Sequence, residues 1–202
     1  MRIRINVVLD WMLVLSFCAL IFLTRDILPA IWNSFRSFAG DDAAAYIPAV
    51  FVGCSMLFLL LYLIFIKKKR RLSNYIWYLA VLAVLSLAYT RIGNPYDKMH
   101  LFEYFLLSLF AFRLFHHYFF SYKLYLINAI FTILIAVIDE GSQLFTVYRS
   151  FSFADLGADF IAAVLGQVSI ALVIAPKLQV WKFYIKRKYK HFFAQEEWLN
   201  RR

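Results

Sequence analysis

The feature that most constrains this chain is a run of 24 residues without a charged side chain, Ala43 to Ile66. A helix of this length crosses the ~30 Å hydrocarbon layer of a bilayer, because each residue adds about 1.5 Å. Apolar residues make up 63% of the chain, whereas water-soluble domains average about 45–50%. A soluble domain of 202 residues cannot bury so much apolar surface, so the sequence predicts an all-α integral membrane protein.

Five further apolar runs have a length that suits a membrane span. They are Val7–Leu23, Tyr75–Thr90, Met99–Phe120, Tyr122–Ile138 and Asp155–Ala175. The fourth run differs in carrying Glu103, Arg113 and the pair His116–His117. The sequence therefore predicts a polytopic bundle of about six transmembrane helices.

Lysine and arginine are distributed unequally about these spans. Counting the spans in alternation places Arg2, Arg4, the Lys67–Arg71 cluster and the basic C-terminal tail on one side, and nearly all acids on the other. Positive residues mark the cytoplasmic side, so both termini are predicted to be cytoplasmic. The clumping of the +10 net charge in these segments indicates membrane topology, and no nucleic-acid partner is predicted.

Three regions follow from this topology. Residues 1–90 hold the first three spans and an external segment, 25–42, whose Trp32, Phe35 and Phe38 suit the membrane interface. Residues 91–176 hold the other three spans with external polar motifs. Residues 177–202 alternate aromatic with basic residues, which predicts an amphipathic cytoplasmic tail bound to anionic membrane lipid.

Ionisable residues gather at the predicted external ends of spans three to six, where such residues are costly and usually functional. Helical spacing places Glu103 and Tyr104 on the same side as His100. If the fifth helix continues, Asp139 and Gln143 share a face in the same way. The candidate site comprises Arg91, Asp97, Lys98, His100, Glu103, Tyr104, Asp139, Glu140, Gln143, Arg149, Asp155 and Asp159.

A line of small residues stands beside the two aspartates of the sixth span. It consists of Ala158, Ala162 and Gly166, and small residues allow two helices to approach closely. The sequence predicts that the fifth and sixth spans pack together along this line.

The polar residues form three motifs in a fixed order. These are Asp-Lys-x-His-x-x-Glu-Tyr from Asp97 to Tyr104, Asp-Glu-x-x-Gln-x-Phe from Asp139 to Phe145, and Arg149 followed by Asp155 and Asp159. In order and spacing they resemble the VanZ-like family, small bacterial membrane proteins named for a member linked to low-level teicoplanin resistance. The resemblance covers roughly Arg91 to Gly166 and implies a role in the cell envelope, without a reaction mechanism.

The chain departs from the family pattern at three places. Only Met99 separates Lys98 from His100 where many members have two residues, and Val147–Tyr148 stands where Pro-Gly is common. Ala162 replaces a glycine found in many relatives. None of these changes removes an ionisable group.

The residues leave two main interpretations of the candidate site open. In the first, the charged groups only brace the helix ends, with Arg91, Lys98 and Arg149 pairing with the acids. In the second, they line a pocket for a polar envelope group such as a lipid-linked sugar, phosphate or peptide. The three cations would then bind an anion, and His100 with a carboxylate would act as acid and base.

Two further interpretations have less support from the residues. A metal site from His100, Glu103, Asp139 and Asp155 lacks a tight ligand spacing, so no metal and no cofactor is predicted. A proton or ion path is disfavoured, because the first three spans hold almost no polar residue beyond Asp10 and Ser16. Arg113 and the two histidines after it are expected to reach the cytoplasmic surface instead.

The sequence thus predicts a VanZ-like membrane protein with an external polar site, acting in cell-envelope homeostasis or glycopeptide (teicoplanin) tolerance. Its expected partners are membrane lipid and a lipid-linked envelope precursor. The alternative is a non-catalytic accessory subunit or assembly factor of a larger membrane complex. Whether the protein is an enzyme is left open.

Overall fold

The structure of the protein, a computed structural model, describes residues 2–66, 68, 71–93, 97–119, 122–144 and 152–174, apart from the side chains at positions 2–4, 25, 26, 28, 42, 44 and 45. These residues form helices joined by short turns. In chain order the helices are α1 (Arg2–Ala39), α2 (Asp41–Leu61), α3 (Leu72–Arg91), α4 (Asp97–Phe115), α5 (Tyr122–Gln143) and α6 (Phe153–Val168). A π-helical segment continues α2 over Tyr62–Ile66, and another continues α6 over Ser169–Ile174.

Within the described part of the chain, five helical segments are long and apolar enough to cross a membrane. They are Ile5–Thr24, Tyr46–Ile66, Leu72–Arg91, Tyr122–Gln143 and Phe153–Ile174. Many apolar side chains of the first three are exposed, as expected where lipid is the surrounding solvent. The prediction of a helical multi-pass membrane protein is confirmed, and these segments overlap the first, second, third, fifth and sixth predicted spans.

The helix of the fourth predicted span, α4, carries four charged residues, Asp97, Lys98, Glu103 and Arg113, within its 19 residues. α4 ends at Phe115 and is followed by a turn at 116–118, so it stops short of the predicted end at Phe120. Because of its charged residues, α4 is not one of the five apolar segments. It nevertheless contacts each of the other five helices. Nine of its 19 residues are buried, so protein surrounds α4 and its surface need not be apolar all round.

α1 is longer than the predicted first span. It runs for 38 residues with Pro29 inside it, or about 57 Å at ~1.5 Å per residue. The segment predicted to be a separate interfacial stretch is therefore a helical continuation of this span. Within it Trp32 is buried at 4% exposure, whereas Phe38 is 90% exposed, so the aromatic residues of the segment do not share one environment.

The turn between α1 and α2 depends on Gly40, whose φ of 88° lies in a region that glycine adopts without steric cost. Across this turn Arg36 Nη2 donates to Asp41 Oδ2 at 3.0 Å. The hydrogen bond from Arg36 lowers the pKa of Asp41. It keeps a carboxylate at the start of α2, where the helix dipole favours negative charge.

Gly166, the last of the three small residues of α6, approaches α4, which at this residue corrects the prediction that the line packs on the fifth span. A Cβ built on Gly166 would lie 2.6 Å from the Ser108 Cβ and 3.1 Å from the Phe105 carbonyl oxygen, both on α4. Ser108 Oγ also donates to the Ala163 carbonyl oxygen at 3.3 Å. The central position of α4 explains the difference, because the closest neighbour of α6 is the helix that the whole bundle surrounds.

Candidate functional site

Polar side chains from three helices meet at one end of the bundle. α4 and α6 begin where α5 ends, so residues near these three helix ends lie at one level. We call this group the acid–histidine centre; it comprises His100 and Tyr104 of α4, Asp139, Glu140 and Gln143 of α5, and Asp159 of α6. Each of these side chains belongs to a residue that is at most 3% exposed.

The contact between α4 and α6 in this centre is a histidine–carboxylate pair. His100 Nδ1 lies 2.9 Å from Asp159 Oδ1. The His100 ring stacks parallel to the Tyr104 ring, with 6.0 Å between centroids and 3° between planes. The spacing of four residues places both rings on one face of α4, as the sequence predicted.

A tyrosine hydroxyl and a backbone amide connect the carboxylates of α5 to their neighbours. Tyr104 Oη donates to Asp139 Oδ2 at 3.1 Å. Glu140 accepts from Gln143 Nε2 at 2.6 Å and from the Ser152 backbone N–H at 3.2 Å. These bonds hold each carboxylate in one orientation.

The predicted continuation of the fifth helix is confirmed, because α5 extends to Gln143 and buries both Asp139 and Gln143. Asp155 is 8% exposed and lies one turn before Asp159. Its backbone N–H donates to the Ser152 hydroxyl at 3.2 Å, which caps α6. Asp155 therefore stands at the edge of the centre.

The remaining predicted residues lie apart from the centre or outside the described residues. Arg91 is exposed, and Asp97 is half-buried at the start of α4. Lys98 Nζ lies 4.5 Å from the centroid of the Tyr89 ring. Arg149 is outside the described residues.

Glu103 does not join His100 and Tyr104 in the centre, although the helical spacing predicted a common face. Successive residues of a helix are turned by about 100°, so Glu103 and Tyr104 diverge. Glu103 lines an apolar cavity of about 360 Å³ between α1, α2 and α4, together with Phe17, Trp32 and Phe51. This cavity could not be predicted from the sequence, because its walls come from three separate helices.

A second polar group lies at the opposite end of the bundle. Asp10 of α1 is 2% exposed; Arg113 Nε lies 2.7 Å from its Oδ1 and His117 Nε2 lies 2.8 Å from its Oδ2. We call these three residues the Asp10 cluster. Arg113 is 13 positions after His100, so along α4 the two groups are about 20 Å apart.

Sequence reasoning treated Asp10 and Arg113 as separate residues and missed their pairing. The available signal was that an acid inside an apolar run requires a partner. It also missed two buried asparagines that bond to neighbouring helices. Asn74 Nδ2 donates to the Val173 carbonyl oxygen at 2.5 Å, and Asn128 Nδ2 to that of Ser108 at 3.0 Å.

Comparison of the chain with known protein families, with curated proteins and with solved structures finds no match. The chemistry of the acid–histidine centre is therefore read from its own side chains. Three carboxylates and one imidazole stand together away from solvent. Such a set can exchange protons, brace helices or bind a cation.

Proposed function

We propose that this protein is a VanZ-like protein of the bacterial plasma membrane that acts in cell-envelope homeostasis or glycopeptide (teicoplanin) tolerance. The proposal includes six spans with both termini in the cytoplasm. It also places the acid–histidine centre on the external side of the membrane.

The observation that carries the proposal is the convergence of motifs that are far apart in the chain. His100 and Tyr104 come from the first motif, Asp139 and Glu140 from the second, and Asp159 from the third. They meet through contacts of 2.9 Å and 3.1 Å between three helices. Separate motifs that share one buried location favour a common role over three unrelated ones.

The central position of α4 supports the count of six spans. Its 19 residues extend for about 28 Å, which is close to the ~30 Å thickness of the hydrocarbon layer. Its charged residues are compatible with a span because the other helices surround it. With α4 as a span, the end that carries the centre lies opposite the Lys67–Arg71 cluster and is external by the distribution of positive charge.

The apolar cavity favours a lipid-linked envelope precursor as the ligand class. Such a molecule joins a long apolar chain to a polar headgroup. The cavity is lined by Met99 and Glu103 of α4, the direct neighbours of His100 and Tyr104 in the chain. An apolar chain in the cavity would therefore place its headgroup near the polar end of the bundle.

The test of the proposal is teicoplanin tolerance in a susceptible bacterial host that expresses the full chain. Expression of the parent should raise the minimum inhibitory concentration. Asp159→Asn should abolish the increase at equal protein level in the membrane, because it removes the carboxylate that contacts His100. Arg36→Gln, which removes an exposed ion pair between α1 and α2, should retain it.

No increase with the parent chain, or an equal increase with Asp159→Asn, would contradict the proposed function. Gentle detergent extraction then addresses the alternative. Stoichiometric co-purification of other membrane proteins would favour an accessory subunit of a larger complex. A monomer or homo-oligomer would favour an independent envelope protein.

A further inference from the structure

Three potential metal ligands face one another in the acid–histidine centre. His100, Glu140 and Asp159 each offer one ligand atom, and these atoms all lie within 4.8 Å of one another. Each residue comes from a different helix, so folding of the bundle alone brings them together. Glu103, Asp139 and Asp155, which the sequence suggested as ligands beside His100, are not part of this group.

The distances suit donors that share one ion. Protein ligands lie ~2.0–2.4 Å from a divalent cation, so two donors of one ion are no more than about 4–5 Å apart. Adjacent donors at right angles about such an ion are about 3 Å apart, and His100 Nδ1 and Asp159 Oδ1 are 2.9 Å apart. The same separation also permits a hydrogen bond, so distance alone does not decide between the two.

The second Asp159 oxygen favours an ion. Asp159 is fully buried, and its Oδ2 has no hydrogen-bond partner among the described residues. A buried polar atom without a partner costs free energy. A cation held between His100, Glu140 and Asp159 would satisfy this oxygen.

The neighbours of Glu140 resemble the outer contacts of a metal site. Gln143 Nε2 donates to one Glu140 oxygen and the Ser152 N–H donates to the other. Such outer contacts orient ligands and raise metal affinity.

From these contacts we propose that His100, Glu140 and Asp159 bind one divalent transition-metal ion. Imidazole together with carboxylates suits Mn²⁺ or Zn²⁺, whereas Mg²⁺ and Ca²⁺ prefer oxygen ligands throughout. Three protein ligands leave further coordination positions for water or for an oxygen of a bound molecule. The inference goes beyond the proposed envelope role, since it concerns the ion alone, and it replaces the sequence-based expectation of no metal site.

Binding is tested on the full chain, purified in mild detergent without a histidine tag and freed of metal with a chelator. Isothermal titration with Mn²⁺ and with Zn²⁺ should show saturable binding of one ion per chain, and Mg²⁺ should bind more weakly. Loss of an outer contact costs about 10- to 100-fold in metal affinity. Gln143→Ala should weaken binding by this factor, and Asp159→Asn and Glu140→Gln by at least as much.

Asp10→Asn is the matched control. Asp10 is also a buried carboxylate beside an imidazole, with His117 Nε2 at 2.8 Å, but the guanidinium of Arg113 already contacts it. Its substitution should leave the affinity for Mn²⁺ and Zn²⁺ unchanged.

Three results would overturn the inference. They are absence of saturable binding to the parent chain, equal affinity in the parent and in either Gln143→Ala or Asp159→Asn, and binding that appears only in Arg149→Gln. The last result would mean that the guanidinium of Arg149 neutralises the carboxylates in place of an ion. Because the stoichiometry of the parent and the effect of Gln143→Ala are each decisive, the test does not depend on whether the ligand variants fold.

Discussion

The acid–histidine centre and the Asp10 cluster are built from similar parts at opposite ends of α4. Each contains a buried aspartate whose oxygen lies within 3 Å of an imidazole nitrogen. They differ in their charge and in their access to the surface. The Asp10 cluster has one carboxylate with two basic partners, and the side chain of Arg113 is 65% exposed. The centre has three carboxylates with one imidazole, and all of its members are buried.

This difference separates a structural brace from a binding site. A buried acid whose partner extends to the surface is neutralised within the pair and ties α1 to α4. Three carboxylates in one buried place repel one another unless a proton or a cation offsets their charge. The Asp10 cluster holds its two basic partners within the described residues, whereas in the centre the proposed metal ion would offset part of the negative charge.

The largest expected effect is a complete difference in labelling from outside the cell, because the two groups are proposed to lie on opposite sides of the membrane. In a chain whose Cys18 and Cys54 are replaced by serine, Ser73→Cys reports the end that carries the Asp10 cluster, and Ser150→Cys the end that carries the centre. An impermeant maleimide added to intact cells, or to spheroplasts where an outer membrane intervenes, should label only the cysteine at position 150. Labelling of both positions, or of position 73 alone, would overturn the proposed topology.

The next effect concerns thermal stability, measured in the presence of a chelator. A substitution in the Asp10 cluster should lower the thermal midpoint, whereas one in the centre should raise it. Arg113→Gln leaves Asp10 buried with only His117 and should destabilise the fold by about 2 kcal/mol. This is less than the ~3–5 kcal/mol for breaking a fully buried pair, because one partner remains. Asp159→Asn removes one of three like charges and should raise the thermal midpoint. Equal losses in both variants, measured by thermal unfolding in detergent, would show that the centre is a brace as well.

The smallest effect compares one hydroxyl in each region. Tyr104→Phe removes the donor to Asp139 Oδ2 within the centre, and a lost partner at a buried acceptor costs ~1–3 kcal/mol. Tyr118→Phe, at the other end of α4, removes an exposed hydroxyl that accepts from Trp11 Nε1 at 2.9 Å. Its effect should stay within about 0.5 kcal/mol. If the two variants have the same melting temperature, the buried hydroxyl of Tyr104 contributes no more to stability than the exposed hydroxyl of Tyr118.

The helices themselves could be predicted largely from the sequence. A lipid-exposed span must be apolar over its whole length, so hydropathy located the five apolar segments, with ends that differ from the predicted ends by a few residues. Helical spacing also predicted that Asp139 and Gln143 share a buried face. These are properties of single helices, and each depends on residues within a few turns.

The relations between helices could not be predicted in the same way. α4 is covered on all sides, so its apolar residues do not reveal which face meets α6 and which meets α1. For this reason Glu103 was grouped with Tyr104 although it lines the apolar cavity, and the small residues of α6 were assigned to α5. The pairing of Asp10 with Arg113 across 103 positions likewise depends on how two helices are rotated about their axes.

The polarity of α4 also has a consequence for how the chain enters the bilayer during synthesis. Each charged residue near the middle of an isolated helix opposes insertion by ~2.5–3.5 kcal/mol, and less towards the ends. α4 carries Asp97, Lys98, Glu103 and Arg113 and is therefore a poor substrate for the insertion machinery by itself. In the six-span topology it must leave the translocon together with neighbouring helices. α1 is synthesised before α4, so Asp10 is already in place when Arg113 enters the membrane and can pair with it. In this way α1 can act as an intramolecular chaperone for α4, the helix around which the rest of the bundle assembles.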